Sequence, residues 1–271
     1  VRARNHVAAF IKSFYRRSDM SMLELTPDFI KEFAAYLSTE AGLRNGSIWA
    51  NCMWLKGVVM KAHYNGLIPR NPFIQFHISP NVKEREYLTE DELKAVMTHE
   101  FADSKLAYIR DIFIFASFTA LSFVDIQELT NDNIVEVNGE KWILSKRHKT
   151  KVAFQVKLLD IPLQIVERYR PMQKDNRIFP GLNYWSICKP LKRMIRECGI
   201  TKSISFHCSR HGFATLALSK GMPIESVSRV LGHTNIVTTQ LYAKITTQKL
   251  DNDLTMFGDK LSKTFNGITM S

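Results

Sequence analysis

Cysteine is scarce in this chain. Its four residues, Cys52, Cys188, Cys198 and Cys208, form no C-x-x-C pair and are too sparse among 271 residues for a disulfide framework, so reduced thiols in a cytoplasmic protein are expected. Long apolar runs are missing too. The longest uncharged stretch, Ile112 to Val124, is flanked by Arg110, Asp111 and Asp125 and falls short of the roughly 20 residues a membrane span needs. A buried helix is expected there, and no membrane partner. No secretory signal is present, and the chain starts at Val1 without a methionine, already inside an amphipathic pattern, so it is expected to be a fragment. Internal repeats and low-complexity segments are absent. Negative charge is in deficit, with 26 Asp and Glu against 37 Lys and Arg for a formal net charge of +11. The basic residues are spread along the chain, a balance that favours a polyanionic partner, nucleic acid before an anionic membrane surface.

What is present is 45% apolar composition, enough for the cores of two domains. Val7, Phe10, Ile11 and Phe14 recur at helical spacing. Thr26 and Pro27 announce a second helix with Phe29, Ile30, Phe33, Ala34 and Leu37 on its buried face. From Asn45 a longer helix turns Ile48, Cys52, Leu55, Val58, Val59 and Ala62 inward, until Gly66 ends it. Arg44, Lys56 and Lys61 on the outer faces of this helical domain are candidate DNA contacts. The pattern breaks at Leu67 to Phe73, and the following stretch has little to bury. Residues 1–80 are therefore expected to form one domain, 81–86 a linker and 87–271 a second domain.

The second domain opens on a capping box, Thr89-Glu-Asp-Glu92. A mostly apolar helix follows from about Leu106 to Ala120. Asn138-Gly139 then predicts a hairpin between Ile134 to Val137 and Trp142 to Leu144. A further strand pair is expected around Lys149 to Lys151, with Val152 to Leu158 returning, then a helix from Pro162 to about Gln173 and another from about Tyr184 to Cys198. The fold class is mostly α, with a small antiparallel sheet confined to the second domain.

The densest chemistry lies between Phe206 and Ala243. His207, Arg210 and His211 share one face of a helix. Ile224, Val227, Val230 and Leu231 mark the next helix, with Gly232 in the usual cap position and His233 on the turn after it. Ile236, Val237 and Leu241 anchor a third short helix, with Tyr242 near its end. Each group has an ordinary reading on its own: His233 as a residue favourable to a helix C-terminus, Tyr242 as a packed surface side chain. The i, i+4 histidines invite zinc, but H-E-x-x-H requires glutamate where Cys208 stands, so no metal is expected. Taken together, three histidines, an arginine and a tyrosine are groups that phosphoryl transfer uses.

The string H-x-x-R-H-G-F-A-T, then L-G-H, then the tyrosine, resembles the catalytic domain of the tyrosine recombinases, the lambda-integrase or phage-integrase family, over about Tyr87 to Lys244. The preceding helices, with their join at Gly66 to Phe73, resemble that family's SAM-like core-binding domain. The resemblance implies a site-specific DNA recombinase (integrase) with an α+β catalytic domain. It makes Tyr242 the nucleophile, His207 and Arg210 the H-x-x-R motif, His233 the third polar residue and Lys149 the mobile catalytic lysine, with Asp125 and His211 in support. It also implies double-stranded DNA attachment sites, a homotetramer in the synaptic complex, host DNA-bending factors as possible partners, and work at the bacterial nucleoid to integrate or excise a mobile element. No cofactor is expected, because a 3′-phosphotyrosine keeps the ester energy for rejoining.

One departure matters. The family's first catalytic arginine belongs in a T-G-L-R motif, and Thr119-Ala-Leu-Ser122 ends in serine. Losing one preorganised donor costs about two to three orders of magnitude in rate, so either the site is crippled or another arginine replaces it. Arg147 is the candidate, on the argument that residues two apart in a strand face one way, which would set Arg147 beside Lys149. The rival, Arg110, lies about 18 Å upstream of Ser122 on a helix rising 1.5 Å per residue. A serine with a displaced arginine also resembles the integrases of Bacteroides-type conjugative and mobilizable elements. The rival readings are a DNA-binding protein of recombinase descent and a type IB topoisomerase-like enzyme. The tail from Ile245 to Leu261, with Leu250, Leu254, Phe257 and Leu261 as a sparse stripe, suits docking on a neighbouring protomer or folding back on its own domain. The attachment site itself is not legible, because readout rests on a few groove contacts and on DNA deformability.

Overall fold

Local signals set most element boundaries. A computed structural model describes residues 2–80, 86–148, 151–173, 175–242 and 247–264. The chain divides into two units, Val1–Glu84 and Arg85–Ser271.

In the first unit α1 (Arg2–Phe14), α2 (Pro27–Thr39) and α3 (Asn45–Tyr64) pack on one core. Thr26 caps α2 by accepting the amide of Phe29 at 3.2 Å, and Pro27 takes the first turn, where its missing N–H costs nothing. Phe10 is fully buried, with its ring 5.2 Å from Phe29 and 5.5 Å from Phe33. Phe14, expected inward, is 55% exposed. Arg44 and Lys61 are exposed and Lys56 is half-buried. Lys56 and Lys61 stand about 140° apart around α3 at 3.6 residues per turn, so they do not share a face.

The second unit is built round α5 (Ser104–Thr119), which packs against α7 (Asp160–Tyr169), α8 (Tyr184–Glu197) and α9 (Cys208–Ser219). A helix apolar on nearly every side has to be internal, and Ile109, Ile112, Phe113, Phe115 and Ala116 are all buried. Its one buried carboxylate, Asp111, accepts from Arg110 at 2.9 Å, from Arg168 at 2.7 Å and from the Tyr169 hydroxyl at 2.8 Å, which ties α5 to α7. Before it, α4 (Glu90–Thr98) starts on the capping box read from Thr89 and Glu92. Helix α7 begins two residues ahead of Pro162, which still falls in the first turn.

The sheet is a single antiparallel meander of three strands, β1 (Ile134–Val137), β2 (Glu140–Lys146) and β3 (Ala153–Lys157), so the two expected strand pairs share β2. Asn138 (φ 53°) and Gly139 (φ 78°) make the turn between the first two, both with the positive φ that such a two-residue hairpin demands. Short helices α6 (Phe123–Gln127), α10 (Ile224–Leu231) and α11 (Val237–Gln240) complete the site region. In α12 (Thr247–Thr264) the stripe of Leu250, Leu254, Phe257 and Leu261 lies open, between 39% and 59% exposed. No described helix is long and apolar enough to cross a membrane.

Candidate active site

The site grows from the start of α9. His207 stands at the helix N-cap and is exposed, His211 one turn on is half-buried, and Arg210 between them is only 9% exposed. The ring of His211 bridges those of His207, 4.8 Å away, and Tyr242, 5.1 Å away. Arg210 donates to the carbonyl of Ala120 at 2.8 Å and to that of Leu231. Ala120 ends α5 in the left-handed region (φ 57°) and Leu231 ends α10. The guanidinium thus sits on the C-terminal ends of two helices, where their dipoles favour a cation.

Arg147 reaches the same place from the sheet. Strand β2 stops at Lys146, and the next residue, Arg147, donates its amide to the Val152 carbonyl and accepts from the Lys151 amide, both at 2.8 Å. The strand alternation expected to carry Arg147 therefore does not apply to it, and Lys149 lies outside the described residues. What places the side chain is its set of partners. Nη1 donates to Asp125 at 2.8 Å, Nη2 donates to the Val230 carbonyl at 2.6 Å, and the guanidinium lies 4.1 Å from the centre of the Phe154 ring. The rival Arg110 is engaged elsewhere, with Asp111 and the His99 carbonyl.

Asp125 is the hub of this arrangement. Besides Arg147 it accepts from the Ser122 hydroxyl at 2.7 Å and from the His148 amide at 3.0 Å. Ser122 caps α6 in a reciprocal box with Asp125, so the serine standing where an arginine was expected orients the carboxylate that holds Arg147. Burial alone would push the Asp125 carboxyl up. The His148 amide, the Arg147 guanidinium and the Ser122 hydroxyl outweigh it and hold the carboxyl below its ordinary value.

Charge does not balance here. Two buried guanidiniums are served by one carboxylate among the described residues, since Arg210 bonds only to carbonyls. Burial, then the charge of Arg147, brings Arg210 down to about 10 against the opposing pull of Tyr242 and Asp125, which leaves it ionised at neutral pH. Burial lowers Arg147 as well, opposed by Asp125. His233 is lowered to about 4 by burial and then by Arg210, Arg147 and His207, so at neutral pH it is an uncharged imidazole.

Gly232 closes α10 in the left-handed region (φ 62°), and a Cβ there would meet Arg147 Nε at 2.9 Å and Cγ at 3.1 Å. Among the described residues that buried Nε has no hydrogen-bond partner. His233 follows, with Nδ1 2.8 Å from the hydroxyl of Thr239, and the Tyr242 amide donates to the Thr239 carbonyl at 3.0 Å.

The second unit therefore brings together Asp125, Arg147, His207, Arg210, His211, His233 and Tyr242. Arg44, Lys56 and Lys61 belong to the first unit. Three contributors were not foreseen. Ser122 had a readable signal in its S-x-x-D spacing and Gly232 in its cap position, whereas nothing in the sequence marks Thr239 as the buried partner of His233. Among the described residues no group of three or more His, Cys, Asp or Glu is placed to hold a metal ion.

Comparison with known proteins places the chain in a family. Residues 86–249 match the phage integrase family and residues 1–78 match the phage integrase SAM-like domain. The tyrosine recombinase XerA of Pyrococcus horikoshii is 32% identical over 177 residues, which cover 60% of this chain and 58% of that protein. The tyrosine recombinase XerC of Lactobacillus leichmannii is 25% identical over 229 residues, covering 79% of this chain and 77% of the relative. The fold is that of the Tn1549 transposon integrase solved with a circular intermediate DNA, with a TM-score of 0.77 at 18% identity over 93% of this chain and 92% of the other. It is also that of a lambda integrase dimer bound to a core site, with a TM-score of 0.66 at 18% identity over 88% and 87%. On the family match across most of its length, and on the fold and site it builds, the chain belongs to the phage integrase family, the tyrosine recombinases.

Proposed function

We propose that Tyr242 is the nucleophile with which this tyrosine recombinase cuts and rejoins DNA at specific sites, and that Arg147 supplies the cation Ser122 does not. The observation that carries this is the convergence beside the tyrosine of two buried guanidiniums, with a single carboxylate between them among the described residues. A buried cation without its own counterion calls for an anion. A phosphodiester supplies one and places a phosphorus where Tyr242 can attack.

In the forward step the tyrosyl oxygen gives up its proton to solvent water and forms a bond to phosphorus, while the bond from phosphorus to the 5′ oxygen breaks. The products are a 3′-phosphotyrosine and a 5′-hydroxyl that has taken up a proton. Lys149 is the proposed donor of that proton. Rejoining is the reverse attack by a 5′-hydroxyl. Arg210, Arg147, His207 and His233 donate to the non-bridging oxygens as charge gathers on them, and Asp125 holds Arg147 in place. Neutral His233 serves as a hydrogen-bond donor, without a charge to lose.

Double-stranded DNA attachment sites are the substrate, with Arg44, Lys56 and Lys61 of the first unit as contacts, four protomers in the synaptic complex, and host DNA-bending factors as further partners. The DNA-bound structures of the Tn1549 and lambda integrases support this reading. Integration or excision of a mobile element at the bacterial nucleoid is the proposed setting. The arrangement of Ser122, Asp125 and Arg147 also supports the likeness to integrases of Bacteroides-type elements.

Fragmented host DNA, followed by recovery and mapping of covalent protein adducts, supplies a nicked suicide substrate for the test. Wild type is expected to form the adduct, Tyr242→Phe to form none, and Arg147→Ala to form it about 100- to 1,000-fold more slowly. An Arg147→Ala protein as fast as wild type removes Arg147 from the mechanism. A wild type that binds the DNA without an adduct leaves a binding protein of recombinase descent.

A further inference from the structure

Thr239 has no solvent exposure and sits in the four-residue helix α11, between His233 and Tyr242 in the chain. Its hydroxyl is the partner of His233 Nδ1 at 2.8 Å, and its carbonyl is the partner of the Tyr242 amide at 3.0 Å. One buried residue therefore touches both groups through different atoms.

The proton accounting at the first contact has two solutions. A threonine hydroxyl carries one proton and two acceptor sites, and a neutral imidazole has one donor and one acceptor nitrogen. If Nδ1 carried the imidazole proton and donated, the Thr239 proton would have no acceptor among the described residues. A buried donor left unpaired is costly. If the hydroxyl donates to Nδ1, both are satisfied.

We propose that Thr239 is a positioning residue, its hydroxyl donating to His233 Nδ1 and so fixing the imidazole in the tautomer that carries its proton on Nε2, the form able to donate to a phosphoryl oxygen. The proposal rests on the reading of His233 as part of the recombination site. The neutral state that burial and the neighbouring cations impose on His233 fits it, since a neutral ring has a tautomer to choose and a doubly protonated one has none. It carries a chemical corollary. Nε2 already holds a proton and so cannot receive the one that Tyr242 gives up. Through its carbonyl, Thr239 also holds the amide of the tyrosine to which the site hands the phosphate, so donor and nucleophile share one support.

The whole chain labelled with 15N at its eight histidines, with His233→Gln to assign the resonance, reports the tautomer through long-range proton–nitrogen correlations at pH 7, without DNA or turnover. Wild type and Thr239→Ser are expected to show a protonated Nε2 and an Nδ1 shifted by an accepted hydrogen bond. Thr239→Val, of nearly the same shape, is expected to lose that Nδ1 shift and to slow adduct formation roughly 10-fold at unchanged DNA affinity. Thr239→Ser is expected to restore the rate. A protonated Nδ1 in wild type overturns the proposal, as does a Thr239→Val protein with the wild-type nitrogen spectrum. If Thr239→Val does not fold, the wild-type and Thr239→Ser spectra still decide. If no protein forms adduct, the reading of the site fails while the nitrogen spectrum judges the tautomer separately.

Discussion

An imidazole that refuses a proton leaves a mark on stability. Free histidine takes its proton near 6.5, and in the fold His233 waits until about 4. Between those values the unfolded chain binds more protons than the folded one, so stability is fully present above pH 6.5 and is lost as pH falls toward 4. His233→Gln is therefore expected to flatten the pH dependence in that window while leaving the midpoint at pH 8 little changed. Urea midpoints across the range would check it, and a variant with the wild-type slope would show that His233 titrates normally. Asp125 acts in the same direction lower down. Its carboxyl is held below the ordinary value, so its contribution is present above the usual carboxylate range and disappears as pH falls through the depressed one.

At the scale of elements, the end of α10 carries the most consequence. Its last carbonyls serve both guanidiniums, and Gly232 lets Arg147 approach at a distance no side chain permits. Gly232→Ala is expected to lose about 1–2 kcal/mol from a left-handed alanine and, by pushing Arg147 aside, to slow adduct formation as well. Gly221→Ala is the control. It has a positive φ of 87° but open space around it, so it should lose stability and keep its rate. Thermal melts and single-turnover cleavage separate the two, and a Gly232→Ala protein that cleaves normally would mean Arg147 tolerates displacement. Much of this level was legible beforehand. The box at Thr89, the Thr26-Pro27 start, the Asn138-Gly139 turn and the cap at Gly232 are each decided within a few residues, and the chain shows them. Arg147 was singled out by strand alternation that ends one residue too soon. Its real determinants, Asp125 and the Val230 carbonyl, lie 22 and 83 positions away in the chain, and no local spacing encodes them. Ser122 was read only as a missing arginine, though its S-x-x-D box was plain.

For the whole molecule, α12 is the element with unfinished business. Its stripe of Leu250, Leu254, Phe257 and Leu261 lies open to solvent, and of the two expected places for it, we propose a second copy of the chain. Leu254→Asp with Phe257→Asp is expected to leave the monomer's melting temperature unchanged, since exposed positions seldom matter by more than about 0.5 kcal/mol. The same pair should abolish recombinant product and higher-order complexes on DNA. Gel shifts and sedimentation on a mapped site would show it, and intact synapsis would return the tail to its own subunit. The meeting of Arg147 with Asp125 bears on how relatives should be sorted. An arginine's address in a folded site is written by its proton acceptors, and Arg147 has its own in Asp125 and the Val230 carbonyl. A survey that scores only the position of Ser122 would count such chains as decayed; if Arg147 acts as proposed, one that asks for serine and aspartate three apart, with an arginine at the exit of the second strand, would recover them as a lineage that rewired its site.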